Sequence, residues 1–359
     1  MLCIAAFVVL VVLGAVSAKY RKLLRRAWSC VARRMTFRPC DSTFREDVKT
    51  SLLAPLALRA PRWVKPASVA IEVTAWIMVL SLVVSVYLLV RSGLNLFVYG
   101  TCDRATPDSC SLSSTLGCSV DSDAPSFWDQ VTDGDVIGAF RDEFAALGET
   151  IATVPSRLRT WDAAEHAPTY ASFLGGYTDG RATSLEILDP GCVFCGVLFE
   201  NIEASGLAEA TNVTYIVYPI EIGGMPRYAN SPLIARYLTA IRVLEHDGAP
   251  AADPTDWAIL RHVFTGRTDD GVRWQDWFLT ASPDDARARL DAWLAEAGYD
   301  DAALAEVAAL ADSDQVADLL AEGRRIVDED VRTVTVPTLI AGGSLHRGAV
   351  EIEVLEKIG

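Results

Sequence analysis

The chain has 359 residues, 51% of them apolar, and a formal net charge of −15, which is enough apolar material for a buried core and one or two domains. The charge is split. Residues 19–67 hold 13 Lys+Arg against Asp41, Glu46 and Asp47, whereas residues 92–359 hold 18 Lys+Arg against 43 Asp+Glu, with Lys357 the only lysine. An acidic, lysine-poor surface of this kind suits a high-salt setting or a GC-rich genome, and it argues against a nucleic-acid partner, since phosphate binding needs the opposite sign.

Residues 2–18, "LCIAAFVVLVVLGAVSA", are apolar throughout, and at 1.5 Å per residue they just span a bilayer. "AVSA" resembles a signal-peptide cleavage site, but the basic cluster "KYRKLLRR" follows the apolar run instead of preceding it, the reverse of a signal peptide's charge order. A transmembrane helix over residues 1–18 is therefore expected. A second is expected over 68–91, where Glu72 lies near one end and reaches the interface. The positive-inside rule then puts the basic 19–67 loop in the cytoplasm and both the N-terminus and everything after Arg91 outside. The expected localisation is a two-pass anchor in the cell membrane, its basic loop resting on anionic lipid.

Residues 99–133 are rich in Ser, Thr, Asp, Gly and Pro and read as linker. From 134, helical spacing appears at Val136, Ile137, Phe140, Phe144 and Leu147. "TSLEIL" (183–188) reads as a strand, 192–205 as a helix and "NVTYIVYPI" (212–220) as a strand. Residues 231–330 read as helices, with Asp253-Pro254 and Ser282-Pro283 as starts. "TVTVPTLIAGG" and "SLHRGAV" then read as strands, and 351–358 as a last helix. This order describes an α/β domain with helices over a mixed sheet.

The stretch "LEILDPGCVFCGVLFENI" (185–202) sets two cysteines two residues apart at a strand-to-helix junction. Cys192 is expected where the helix begins, facing unpaired amides and the positive end of the helix dipole, which favour thiolate, the attacking species. Cys195 lies one turn along, in reach of a mixed disulfide at Cys192. No metal is expected, because His166, His246, His262 and His346 are all remote in sequence and no second C-x-x-C exists. An inert staple is disfavoured, because a two-residue loop restrains the unfolded chain little. The expected chemistry is thiol–disulfide exchange, with no cofactor beyond the redox-active disulfide.

"DPGCVFC" at this junction, followed much later by "TVPTLIAGG", resembles the thioredoxin fold, and the long helical insert is similar to that of the Dsb-type thiol oxidoreductases. The resemblance covers 165–359, with an insert at about 225–332, and leaves 92–164 as an extracytoplasmic cysteine-containing linker with helices. It implies that Pro337 opens the strand facing the redox pair in the cis state, and that Val336 offers its backbone to an extended client. It also implies a buried carboxylate six residues before the first cysteine, the position of Glu186, which would take the proton from Cys195. Strand alternation allows the other orientation, towards solvent. "VF" between the cysteines departs from the familiar dipeptides and leaves the direction of electron flow open.

Cys30 and Cys40, in the basic loop, are expected to be reduced. Cys3, Cys102, Cys110 and Cys118 all fall outside and form an expected set for structural bridges, with three possible pairings. The expected partners are cysteine-containing client proteins, a membrane redox protein that recycles the pair, and the bilayer. Two rivals stand beside the oxidoreductase: a dedicated reductase for apocytochrome thiols, and a non-catalytic thioredoxin-fold subunit of a membrane assembly.

Overall fold

The computed structural model describes residue 53 and residues 61–104, 117–119, 126–246 and 254–359. The first predicted span, most of the basic loop, and Cys3, Cys30, Cys40 and Cys110 lie outside the described residues. The chain divides into two units, Met1–Arg91 and Ser92–Gly359. Helix α1 (Val64–Tyr99) is exposed along most of its apolar length. Among the described residues it is the one helix long and apolar enough to cross a membrane.

In the second unit a four-stranded sheet has the order β3-β2-β7-β8. Strand β2 (Thr183–Leu188) pairs in parallel with β3 (Asn212–Val217), and antiparallel with β7 (Thr338–Ala341), which pairs antiparallel with β8 (Ser344–Arg347). The parallel β2–β3 crossover carries helix α4 (Val193–Ser205), and the short α5 (Leu207–Ala210) follows it. Helix α4 ends at Gly206, which takes the left-handed conformation at φ 75° that glycine adopts without steric cost. The last helix, α12 (Ile352–Ile358), packs against α4. This is the thioredoxin-like arrangement, with the helical insert between β3 and the β7–β8 hairpin.

Strands β2 and β3 are buried on both faces. That is why they read as near-continuous apolar runs. The expected single strand over "TVTVPTLIA" is broken into β6 (Thr335–Val336) and β7 at Pro337, which has no N–H to give a ladder. The Val336–Pro337 bond is cis, and Gly348 N donates to Pro337 O at 2.8 Å.

The insert begins after a two-residue hairpin, β4 (Glu221–Ile222) with β5 (Met225–Pro226). Its helices are α6 (Ser231–His246), α7 (Thr255–Thr265), α8 (Trp274–Thr280), α9 (Pro283–Glu296), α10 (Asp301–Ala311) and α11 (Asp314–Arg325). Ser282 caps α9 through Asp285 N, with Pro283 at the first helical position, as the sequence predicts. Trp257 and Trp293 are buried, and Trp274 packs edge-on to both Trp277 and Trp293 with centroids 5.3 Å apart. These aromatics are core. Asn212, the head of a glycosylation sequon, is also buried, its amide tied to the Thr178 and Arg181 carbonyls.

In 92–164 the helix read from its spacing forms, and the linker reading changes. Helix α3 (Val136–Leu158), which follows α2 (Phe127–Thr132), turns Val136, Ile137, Phe140 and Phe144 outward. Its small residues Gly138, Ala139, Thr150 and Thr153 are the buried ones. The linker also contributes a strand, β1 (Cys118–Ser119), antiparallel to β6 with Cys118 opposite Val336 and Ser119 opposite Thr335.

Candidate functional site

Cys192 is the N-cap residue of α4, and its backbone oxygen accepts from both Cys195 N (3.0 Å) and Gly196 N (3.4 Å). Cys195 is one turn inside the helix, as the spacing requires. Both are buried. Their oxidation state differs from a closed C-x-x-C loop: Cys192 is bonded to Cys118, 74 residues away, and Cys195 is a free thiol. The expectation that Cys118 pairs within the set Cys3, Cys102 and Cys110 is therefore corrected. Its strand lies in register with Val336, which brings its sulfur to the mouth of α4 instead. Cys102 is also held in a disulfide.

The loop before Cys192 is held by buried polar contacts. Asp189 accepts from Gly191 N (2.8 Å), Ile220 N (2.7 Å) and the Ser231 hydroxyl. Burial nevertheless raises its carboxyl to about 6, against these hydrogen bonds, which pull it down. From the insert, Gln275 Nε2 donates to Pro190 O and Cys192 O, both at 2.9 Å. Gly191 passes so close to Tyr228 that a Cβ there would sit 2.4 Å from its ring and Cβ atoms, so a side chain would displace the loop.

Glu186 resolves in favour of the inward orientation. It lies in mid-strand, paired with Tyr215 on β3 and Leu339 on β7, and is fully buried. Neither carboxyl oxygen has a hydrogen-bond partner. Desolvation alone raises its carboxyl to about 8. Cys195 is raised well above an ordinary thiol, first by burial and then by the charge of Glu186, while Asp189 N donates to its sulfur at 3.4 Å and pulls the other way. The Cys195 thiol and the Glu186 carboxyl thus form a dry pair in which each is most stable protonated at neutral pH. Glu186 can take a proton from Cys195 only in its ionised form, which grows as pH rises towards about 8.

Val336 stands against the Cys192 sulfur, with Pro337 next to it in the chain. Cys192 Sγ lies 3.7 Å from Val336 O, a contact rather than a hydrogen bond, since a disulfide sulfur carries no hydrogen. Strand β6 thus offers its backbone beside Cys192, and β1 occupies it. Arg227 Nη1 donates to Ser119 O (2.8 Å) and the Tyr228 hydroxyl to Cys118 Sγ (3.2 Å). Among the described residues, no group of three or more His, Cys, Asp or Glu is placed to hold a metal.

The fold brings Cys192, Cys195, Glu186, Val336 and Pro337 to one place. The sequence did not reveal Asp189, Arg227, Tyr228, Ser231, Gln275 or the seat of Cys118. Asp189 alone carried a signal, the turn-forming "DPG".

No family model and no curated protein matches the chain. Among solved structures it is similar to the thiol-disulfide exchange protein alpha-DsbA2 from Wolbachia pipientis, at 18% identity, covering 52% of this chain and 84% of that one with a TM-score of 0.35. It is similar to a thioredoxin-like oxidoreductase from Silicibacter pomeroyi at 17% identity, 53% and 90% coverage, TM-score 0.36. It is also similar to MdbA, a thiol-disulfide oxidoreductase from Corynebacterium matruchotii, at 16% identity, 53% and 95% coverage, TM-score 0.37. The thioredoxin-like fold stands on the strand order and register of the chain itself.

Proposed function

We propose that the chain is a membrane-tethered thiol–disulfide oxidoreductase whose domain after α1 lies outside the cytoplasm and acts on cysteines of client proteins. One observation carries the reading. Cys192, at the start of α4, is bonded to a sulfur other than that of Cys195, and Cys195 waits as a free thiol one turn behind it. That is the arrangement of a mixed disulfide with its resolving thiol in place. Cys192 exchanges with the client, Cys195 resolves, the ionised form of Glu186 receives the Cys195 proton, and Val336 with Pro337 aligns the client strand. The pair is its own redox group, and a membrane redox protein recycles it. The apolar α1 and the basic stretch before it support the anchor and its orientation.

A second reading has its own support: Cys192 is fully buried and its bond to Cys118 closes a long loop, which is what a structural staple in a non-catalytic subunit does. Equilibrating the full chain in detergent with glutathione buffers separates the readings. An exchanging pair settles between roughly −120 mV, a disulfide donor, and roughly −270 mV, a reductase of the kind that apocytochrome thiols need. A chain that stays oxidised below about −300 mV and exchanges slowly belongs to the second reading.

A further inference from the structure

We propose that Cys118 is a third redox-active cysteine, and that residues 117–119 are a resident client which the chain exchanges on and off Cys192. The inference rests on the oxidoreductase reading above and goes beyond it, because it makes a residue of the linker a participant in the exchange.

The fit of the segment argues for a built seat. Strand β1 runs antiparallel along Thr335–Val336, the two residues before Pro337. Extended backbone added to a sheet edge is a general way of holding a peptide independently of its side chains. Two side chains beyond the edge complete the hold, Arg227 on the Ser119 carbonyl and Tyr228 on the Cys118 sulfur. Gly117 sits where a Cβ would come within 2.4 Å of Thr335 Cγ2, so glycine is required before the cysteine. The Tyr228 hydroxyl donates to the very sulfur that would leave, and a hydrogen bond to a departing thiolate favours its departure. A permanent staple needs neither this donor nor a free Cys195 behind it.

The exchange balances without an external oxidant. The Cys195 thiol gives up its proton, and its sulfur attacks Cys192 Sγ. The Cys118–Cys192 bond breaks as the Cys192–Cys195 bond forms. Cys118 leaves as thiolate and takes up the proton. One disulfide and one thiol stand on each side. In the closed form Cys192 is covered, with 0% exposure. In the open form the edge of β6 and the Cys192–Cys195 disulfide face incoming clients.

The test uses the full chain in detergent, acid-quenched, alkylated and mapped for its disulfides, together with the oxidation of a synthetic peptide carrying two thiols. Wild type is expected to yield both the 118–192 and the 192–195 linkages. Cys195→Ala is expected to yield only 118–192 of the two. Cys118→Ser is expected to oxidise the peptide roughly ten- to a hundredfold faster than wild type, because a tethered competitor acts at roughly millimolar effective concentration against a peptide at tens of micromolar. Gly117→Val keeps every cysteine and is expected to lower the ratio of 118–192 to 192–195 roughly tenfold or more through the clash with Thr335. If Cys118→Ser works at the wild-type rate and no 118–192 peptide is found in Cys195→Ala, the proposal falls and the oxidoreductase reading stands. If Cys118→Ser is inert towards the peptide, both fall.

Discussion

Glu186 shows what a single buried carboxyl does to the energetics of a fold. Its folded-state pKa, raised to about 8, lies above the unfolded value. Between the ordinary carboxyl range and about pH 8 the folded chain therefore holds a proton that the unfolded chain has lost. Stability falls as pH rises through that window and levels off above it. Asp189, raised to about 6, acts with the same sign but is finished by about pH 7. His166 and His346, both lowered by burial, act with the opposite sign around their ordinary value, so Glu186 is read from the difference between wild type and Glu186→Gln over pH 6 to 8. Over that interval the wild-type unfolding free energy is expected to drop by about 2–3 kcal/mol relative to that of Glu186→Gln in urea titrations, at ~1.4 kcal/mol per unit. The same variant is expected to slow release of the resolving thiol about a hundredfold, the low end of general-base contributions. Parallel wild-type and Glu186→Gln profiles between pH 6 and 8 would sink the assignment. The position of Glu186 was legible in the sequence through its six-residue offset from Cys192. Its orientation was not, because a strand buried on both faces has no alternation to read.

At the scale of elements, the start of α4 is where strand, loop and insert meet. Gln275, on α8, spends both amide hydrogens on the carbonyls of Pro190 and Cys192. Nothing local to the C-x-x-C stretch announces that tie, since it joins residues 83 and 85 positions apart. Gln275→Leu leaves the buried Pro190 carbonyl without its donor and removes one of three donors from Cys192 O, and is expected to cost about 1–3 kcal/mol in unfolding free energy. It should also speed amide hydrogen exchange in the first turn of α4. Unchanged protection there would mean the loop stands without the insert. The secondary structure itself was largely readable, because the strands and caps are local signals. What escaped was β1. Two residues give no period, and their partner strand lies more than 200 residues further on. The outward apolar stripe of α3 escaped for the converse reason: its helical spacing is correct, but spacing does not say which face meets the core.

At the scale of the molecule, the helical insert is joined to the sheet through a buried ion pair. Arg242, on α6, donates to Asp256, on α7, at 2.8 Å, and its guanidinium lies 3.7 Å above the Tyr215 ring of β3. Asp256 also accepts from the Tyr215 and Ser172 hydroxyls. Asp256→Ala strands a buried guanidinium and is expected to cost about 3–5 kcal/mol in chemical denaturation, whereas Arg242→Met with Asp256→Leu is expected to recover most of that loss. Equal destabilisation by the single and double changes would contradict it. The order of elements made the insert visible in the sequence, but the tie was hidden, because Arg242, Asp256 and Tyr215 are ordinary surface-compatible residues until the fold encloses them. Strand β1 has one more consequence. By pairing with Thr335 and Val336 it covers backbone amides and carbonyls of β6, an extended segment with no other strand partner among the described residues. An open border recruits strands from any neighbouring chain, and proteins commonly blunt such borders to stay monodisperse. Two residues of linker therefore act as a selvedge, keeping crowded copies of the domain from stitching themselves together.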